Sequence, residues 1–219
     1  SKGNEAVIRN IWEPFKEMFE KACPSLDIEP AEISWDYVYS REKLATLKGK
    51  KLHGKRNHIN KFIQEHPDYE YMKLEPSMYD ECIGVYDEWR ADKGLSENEF
   101  SNERRSVVLA IRNMEALGLT GGVIKLDGKI KAFTIGERLR KDIQLIHIEK
   151  ADADINGLFP MINQQYVLHE CQDVEYINRE EDMGVEGMRK AKRSYCPDYM
   201  VKKYFAAKGK LTRQELSVE

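Results

Sequence analysis

The chain has 219 residues, of which 41% are hydrophobic and 33% are charged, with 14 glycines and 7 prolines. This balance excludes collagen-like, low-complexity and wholly disordered proteins, and it is typical of a chain that folds around its own core. The 35 basic and 38 acidic residues leave a net charge of −3. That charge argues against a protein that coats nucleic acid through its whole surface, although a local basic patch is compatible with it.

The apolar runs are only a few residues long, far below the roughly 20 residues of a membrane-spanning helix. No signal-type apolar stretch follows the first residues, Ser1–Glu5. The four cysteines lie far apart and form no C-x-x-C pair, which disfavours a zinc ribbon or a disulfide framework. We therefore expect a cytoplasmic protein with reduced thiols and no transmembrane segment.

The first forty residues predict one helix and one strand. Apolar side chains recur at helical spacing over residues 4–22, and Pro14 requires that the helix starts or bends there. Residues Ser34–Tyr39 are aromatic and β-branched, which favours a strand. Because one helix and one strand are too little for an independent domain, we interpret residues 1–40 as the remnant of a larger N-terminal unit.

Residues 41–65 predict one long helix or two short ones, interrupted at Gly49 or Gly54. They contain a basic run, with no acidic residue between Lys48 and Gln64. Such a run is either a solvated helix face or a surface that contacts phosphates. Its candidate substrate-binding residues are Lys51, Lys55, Arg56 and Asn57.

From Tyr69 onward the pattern predicts alternating helices and strands. The dipeptide Asp127-Gly128 is a strong hairpin signal, so the strands on either side of it are expected to be antiparallel neighbours. The predicted elements are strand 69–74, a helix from 79 to a stop at Gly94, helix 102–117, strands 121–126, 129–136 and 143–149, helix 155–170, strand 174–178, helix 187–195, strand 199–205 and a frayed tail after Ala206. This order predicts an α+β fold with helices on the faces of a mixed sheet, and it resembles the Gcn5-related acyltransferase fold.

The sequence lacks the strongest catalytic motifs. It contains no G-x-S-x-G, G-x-x-x-x-G-K-[ST], H-E-x-x-H or dinucleotide-binding G-x-G-x-x-G pattern. The five histidines show no spacing typical of metal ligands, and His147, on a predicted buried strand, is interpreted as a core or cleft residue. The sequence therefore predicts no metal site and no resident cofactor.

Four stretches of the chain resemble one bacterial protein family. They are residues 48–62, 116–122, 147–152 and 178–192, which read KGKKLHGKRNHINKF, ALGLTGG, HIEKAD and NREEDMGVEGMRKAK. Together they are similar to the C-terminal domain of the phosphatidylglycerol lysyltransferases, a family related to the Fem-type peptidyltransferases. The resemblance covers about residues 30–205.

The resemblance also implies a domain organisation. Such families usually carry two Gcn5-like units in tandem, so a complete second unit and an incomplete first unit are implied here. The expected ranges are a remnant of the first unit at 1–40, a basic connecting helix at 41–66, an acyltransferase-like domain at 67–207 and a tail at 208–219. The sequence lacks the multi-span membrane segment of the lipid-modifying members, so the implied activity is aminoacyl transfer to a soluble or membrane-surface acceptor.

One loop is informative about the donor. In coenzyme A-dependent enzymes of this fold, the loop after the fourth strand offers N–H groups to a pyrophosphate and normally contains two glycines. The corresponding stretch, Lys150–Gly157, has one glycine and two aspartates, and two like charges 4 Å apart repel by about 1 kcal/mol even in water. Coenzyme A is therefore disfavoured and a charged tRNA, bound by the basic run, is the expected donor. Alternatively, Asp154 simply caps a helix that begins near Ile155.

A run of carboxylates follows a predicted strand and precedes a predicted helix. Neighbouring carboxylates raise each other's pKa when partly buried and provide a base for an attacking amine, although Arg179 would equally neutralise them in a structural network. The resemblance implies that Lys190 and Lys192 face the donor, where a lysine stabilises a leaving ribose oxygen, unless they form a solvated helix face. The candidate catalytic residues are Glu149, Asp182 and Lys190, and the further candidate substrate-binding residues are Lys150, Asn178, Arg179, Glu180, Glu181 and Lys192.

The sequence thus predicts an aminoacyltransferase-like enzyme. The expected reaction moves an amino acid from aminoacyl-tRNA to an amine or hydroxyl group of a small-molecule or peptide acceptor. Two alternatives stay open, an acyl-coenzyme A-dependent N-acyltransferase and a non-catalytic binding module derived from the same fold.

Overall fold

The computed structural model describes residues 7–92 and 101–209, apart from the side chains of residues 92 and 101. The predicted stop at Gly94 and the predicted tail beyond residue 209 lie outside the described residues. The helices are α1 Lys16–Ala22, α2 Arg41–Thr46, α3 His53–Glu65, α4 Tyr79–Asp92, α5 Ser101–Arg112, α6 Leu158–Glu170 and α7 Glu186–Arg193. The strands are β1 Ile8–Trp12, β2 Asp27–Pro30, β3 Asp36–Ser40, β4 Glu70–Lys73, β5 Leu119–Leu126, β6 Lys129–Arg140, β7 Ile143–Ala151, β8 Tyr176–Asn178, β9 Tyr199–Val201 and β10 Lys203–Ala207.

The chain forms two compact units. We call Ser40–Ile177 the central unit, and we call Ser1–Tyr39 together with Asn178–Glu219 the terminal unit, as far as these residues are described. The sequence predicts a different kind of division, into tandem acyltransferase-like units and their connections, with the ranges 1–40, 41–66, 67–207 and 208–219. That division stays a prediction.

The sheet of the central unit follows the order β4-β5-β6-β7-β8. The pairs β4/β5, β5/β6 and β6/β7 are antiparallel. The backbone N–H of Tyr176 donates to the carbonyl of Asp142 over 3.0 Å, which places the starts of β7 and β8 side by side. Because α6 connects these two strands as a crossover, they run in the same direction and the sheet is mixed.

Helices cover both faces of this sheet. On one face α4 and α5 pack through a core that includes Cys82, Tyr86, Val107, Ile111, Phe133 and Ile135. On the other face α6 contacts the sheet and is covered by α2 and α3. The predicted fold class, α+β with helices flanking a mixed sheet, is therefore confirmed.

Local predictions in the central unit can be compared with the structure. The hairpin between β5 and β6 is confirmed, because Asp127 and Gly128 both adopt the positive φ that this turn requires. The expectation that His147 is a core or cleft residue is wrong, since His147 is exposed on β7 and its ring lies 3.1 Å from Glu137.

The terminal unit contains a three-stranded antiparallel sheet in the order β1-β10-β2 and an antiparallel pair of β3 with β9. The helix predicted over residues 4–22 is wrong in its first part, where β1 pairs with β10, and right in its last part, which is α1. Pro14 separates the two because it has no N–H for a helical hydrogen bond. The single strand predicted at 199–205 is two strands, β9 and β10, which pair with different partners.

Candidate functional site

The carboxylate of Asp182 forms a buried ion pair in the terminal unit. Asp182 is 1% exposed, and Arg189 on α7 donates to its two oxygens over 2.8 and 2.9 Å. The hydroxyl of Tyr37 donates over 2.6 Å, and the backbone N–H of Gly184 donates over 2.8 Å. Burial acts to raise the pKa of Asp182, but these hydrogen bonds outweigh it and lower the pKa below its ordinary value. Asp182 is thus held as an anion, and it can accept a proton only after one of these bonds breaks.

The ammonium group of Lys192 binds backbone carbonyls of the preceding loop. It donates to the carbonyl oxygens of Arg179 over 2.7 Å, of Glu180 over 3.3 Å and of Glu181. Glu180 and Met183 adopt φ values of 55° and 50°, in the left-handed region that is costly for residues other than glycine. Lys192 therefore stabilises a strained loop, and its side chain is directed at the protein's own backbone.

A second network in the same unit includes a carboxylate suited to exchanging a proton. The amide of Asn178 donates to Asp36 over 3.1 Å, and Lys203 donates to the other Asp36 oxygen over 2.5 Å. The ammonium group of Lys203 also lies 3.7 Å from the carboxylate of Glu181, whose side chain is 31% exposed. Burial raises the pKa of Glu181 above its ordinary value, although Lys203 acts in the opposite direction.

Arg179 has aromatic neighbours. Its guanidinium carbon lies 4.8 Å from the ring centre of Tyr195 and 5.9 Å from that of Tyr39, within the range of cation–π attraction. Arg189, rather than Arg179, neutralises the buried carboxylate of this loop. Lys190, which the sequence placed beside the donor, is exposed on α7.

The sequence analysis missed several partners of the predicted residues. Tyr37 and Asp36 lie more than 140 positions away from the side chains that they bind, so no local spacing pointed to them. Lys203 gave no signal either, because it lies on a different strand of the terminal unit. Arg189 did carry a local signal, since it follows Asp182 by only 7 residues and lies on the basic helix α7.

In the central unit Lys150 lies in a cage of aromatic and acidic side chains. Its ammonium group is 2.9 Å from the carboxylate of Glu103 on α5. It lies 3.5 Å from the ring centre of Trp89 and 5.5 Å from that of Tyr86, both on α4. The Tyr86 hydroxyl donates to the other Glu103 oxygen over 3.0 Å. Sequence analysis selected Lys150 but missed its three neighbours, because they lie on helices that pattern alone assigns to the core.

Glu149 precedes Lys150 on β7, so the two side chains point to opposite faces of the sheet. The amide of Asn163 on α6 donates to the Glu149 carboxylate over 2.8 Å. The two neighbouring candidates therefore belong to different layers of the central unit.

The loop between β7 and α6 is closed by α3. Gly157, with φ of +87°, faces α3 so closely that an added Cβ would lie 2.3 Å from the carbonyl oxygen of His58. The Nδ1 atom of His58 lies 2.8 Å from the side-chain oxygen of Asn156, a hydrogen bond that links α3 to the β7–α6 loop. The first turn of α6 also contains Pro160, which has no N–H to offer an anion.

The acidic residue Asp152 of this loop has two hydrogen-bond partners within the unit. Asp152 accepts a hydrogen bond from Lys131 over 3.0 Å and another from the backbone N–H of Asp154 over 3.1 Å. The alternative in which Asp154 caps a helix at Ile155 is wrong, because α6 begins at Leu158. The glycine before α6 takes the cap position because only a residue tolerant of positive φ fits there.

The basic run forms an exposed surface on α3 and the turn before it. We define the basic surface as the exposed residues Lys48, Lys50, Lys51, His53, Asn57 and Lys61. Lys55 is half-buried. Arg56 is directed inward, where its guanidinium donates to the carbonyl oxygens of Leu47 and, over 2.9 Å, of Gly49. Arg56 therefore holds the turn, whereas the residues of the basic surface face solvent.

Two searches within the described residues gave negative results. No group of three or more His, Cys, Asp or Glu side chains in that part of the chain is arranged to hold a metal ion. No helix there has the length and apolar character needed to cross a membrane.

The mixed sheet with flanking helices is the fold class that the resemblance to acyltransferase-like proteins implied. Within this class the chain belongs to the family described as phosphatidylglycerol lysyltransferase, C-terminal, whose model matches residues 1–207. The family identified from the four sequence stretches is thus confirmed.

Individual relatives are consistent with this assignment. A conserved protein of unknown function from Bacteroides thetaiotaomicron, of known crystal structure, is 40% identical and superposes with a TM-score of 0.87, covering 93% of this chain and 70% of that one. An uncharacterised protein of Mycoplasmoides gallisepticum is 26% identical over 180 residues, which is 79% of this chain. The match spans only 56% of the length of that curated relative.

A more distant structure supports the fold alone. The structure of L-PGS from Bacillus licheniformis is 16% identical and has a TM-score of 0.70, with 98% of this chain and 71% of that chain covered.

Proposed function

We propose that this protein transfers an aminoacyl group from a charged tRNA to an amine or hydroxyl acceptor. Family membership supports transfer of this general kind. The observation that carries the choice of donor is the placement of α3, which closes the β7–α6 loop on one side and exposes the basic surface on the other.

The closed loop argues against coenzyme A as the donor. A pyrophosphate at the start of a helix needs free backbone N–H groups and room to approach them. Here His58 fills the space beside Gly157, and Pro160 removes one N–H from the first turn. The carboxylates of Asp152 and Asp154 add negative charge, which disfavours a second anion at the same loop.

The basic surface supports an RNA donor. Lys50 and Lys51 form no ion pair among the described residues. The ammonium group of Lys48 lies 4.0 Å from the carboxylate of Glu42, at the outer distance limit of an ion pair. Exposed lysines of this kind gain most of their binding free energy when a polyanion releases its counterions. A tRNA provides that polyanion, whereas a small thioester does not extend over the surface.

Aminoacyl transfer from an ester requires a base and a positive charge. The acceptor nitrogen or oxygen forms a bond with the ester carbonyl carbon, the bond to the ribose oxygen breaks, and that oxygen takes up a proton. Glu181 and Lys150 belong to different units and are separate candidates for these two roles. Glu181 has a pKa raised by burial, which favours a base. Lys150 carries a positive charge that would stabilise a developing negative one, and Glu149, Asp182 and Lys190 stay predicted catalytic residues.

A filter-binding assay with charged and uncharged tRNA tests the donor. We expect the double variant Lys50→Ala/Lys51→Ala to bind tRNA more weakly, with the slope of log K against log salt reduced by about 1 for each lysine that contacts a phosphate. The matched control is Lys129→Ala/Lys141→Ala, which removes the same charge from other exposed positions. Equal loss in both double variants would show that only net charge matters, and absence of binding by the unmodified chain would contradict the proposal.

The acyl-coenzyme A alternative has its own measurement. A ligand present at 100 times its Kd stabilises the folded state by about 2.7 kcal/mol. We expect coenzyme A thioesters to leave the melting temperature unchanged, because α3 occupies the loop that would bind them. A concentration-dependent rise would favour the thioester as donor.

A further inference from the structure

The cage around Lys150 presents a chemical problem for an enzyme that handles esters. The Lys150 side chain is 12% exposed, so most of its surroundings are protein rather than water. Burial lowers the pKa of Lys150, while the carboxylate of Glu103 acts in the opposite direction. A neutral lysine is a strong nucleophile, and an activated ester is the electrophile with which it reacts.

The reaction at risk can be written explicitly. The lone pair of a neutral Lys150 Nζ would attack the ester carbonyl carbon, forming a C–N bond. The bond between that carbon and the leaving oxygen would break, and the leaving oxygen would take the proton lost from nitrogen. The product is an amide on Nζ. Lys150 thereby loses its positive charge, and the acyl group is no longer available for transfer.

We propose that Glu103 holds Lys150 in its ammonium form and thereby protects it from acylation, while its positive charge stays available for transfer. An ammonium ion has no lone pair with which to attack the ester. The proposal rests on the proposed function only in taking the natural donor to be an activated ester.

The geometry of the cage fits this protective role. The Lys150–Glu103 distance of 2.9 Å is that of a charge-assisted hydrogen bond. The Tyr86 hydroxyl binds the second Glu103 oxygen and so orients the carboxylate. The ring centre of Trp89 lies 3.5 Å from the ammonium group, and its cation–π attraction favours the charged form of Lys150 over the neutral amine.

The other charged groups near the cage are occupied by their own partners. Glu149, which precedes Lys150 on β7, accepts a hydrogen bond from Asn163 and also acts to raise the pKa of Lys150, but without contact. On the neighbouring strand, Lys131 pairs with Asp152 over 3.0 Å. Glu103 is the carboxylate in contact with Lys150, so substitution of Glu103 is the direct way to change the charge state of the amine.

The test is labelling of the whole chain with sulfo-N-hydroxysuccinimidyl acetate, an activated ester, with peptide mass spectrometry to follow each lysine. The variant Glu103→Gln preserves the size of the side chain and removes its charge. Loss of an adjacent opposite charge lowers the pKa of a lysine, so a larger fraction of Lys150 is neutral and it should be acetylated about tenfold faster near neutral pH. The matched control, Asp152→Asn, removes the partner of Lys131, whose side chain is 31% exposed, and should leave the Lys150 rate unchanged.

Two results would overturn the proposal. In the first, Lys150 is acetylated at the same rate in the unmodified chain and in Glu103→Gln. In the second, Lys150 resists the reagent in both proteins, which would show that burial alone protects it.

If circular dichroism shows that Glu103→Gln is unfolded, Glu103→Asp provides the same comparison, because the shorter carboxylate lies farther from Lys150 and should give a smaller increase in the acetylation rate. The labelling needs no tRNA, so a failed binding assay would not change its outcome.

Discussion

The loop that begins at Asn178 and the basic surface on α3 are both dense in charge, yet the structure uses their charges differently. In the loop, Asp182 is paired with Arg189 and Lys192 is bound to backbone carbonyls. On the basic surface, Lys50 and Lys51 face solvent. Removing one partner of an internal ion pair destabilises a fold, whereas exposed charge of one sign is available to a ligand. Variants of the two regions should therefore affect different measurements.

The largest expected effect is on the stability of the terminal unit. The substitution Asp182→Ala leaves Arg189 without its carboxylate and Tyr37 without its acceptor, and breaking a buried ion pair from one side costs about 4 kcal/mol. Urea unfolding should show this loss. Glu186→Ala, an exposed acidic position on α7, is the control and should change the free energy of unfolding by less than about 0.5 kcal/mol. A similar small change for both variants would refute the structural role of Asp182.

Closure of the β7–α6 loop by α3 is tested by the substitution Gly157→Ala. The new Cβ would meet the His58 carbonyl at 2.3 Å, in a backbone conformation with φ of +87° that alanine disfavours. Steric overlap and strain together should cost about 3 kcal/mol. Gly118→Ala supplies the comparison, since Gly118 has a φ of +65° but no atom near the added Cβ, and should cost about 1 kcal/mol. Equal costs would mean that α3 does not press on the loop.

A smaller effect is expected for the lysine that binds the strained loop. Lys192→Met keeps the unbranched apolar stem of the side chain and removes the ammonium group with its hydrogen bonds to the carbonyls of Arg179, Glu180 and Glu181, at a cost of about 2 kcal/mol. Lys190→Met, at the exposed neighbouring position, should be nearly neutral. Thermal unfolding of the two variants side by side makes this comparison, and a reversed order would show that the bonded lysine is the dispensable one.

Sequence patterns predicted the central unit well because its signals are local. The Asp127-Gly128 turn, the helical stripes and the basic run each lie within a few residues, and their physical meaning does not depend on distant partners. The residues that complete the clusters could not be found in this way. Tyr37 binds Asp182 and Asp36 binds Asn178 across more than 140 positions, so only the folded chain brings them together.

Local patterns also failed where two periodicities overlap. The apolar residues Ile8, Ile11, Trp12 and Phe15 fit a helix by spacing, but the first three belong to β1, which pairs with β10. The pairing partner lies at the other end of the chain, and tertiary hydrogen bonds decided the structure against the local periodicity. The same reason explains why residues 199–205 form two strands instead of one.

The binding of charged tRNA across a salt series is the most direct measurement of the proposed function. The unmodified chain should bind, and Lys50→Ala/Lys51→Ala should bind more weakly with a shallower salt slope. The free energy of unfolding of this variant should change by less than about 0.5 kcal/mol, because both side chains are exposed. Undiminished binding by the double variant, or no binding by the unmodified chain, would contradict a tRNA donor.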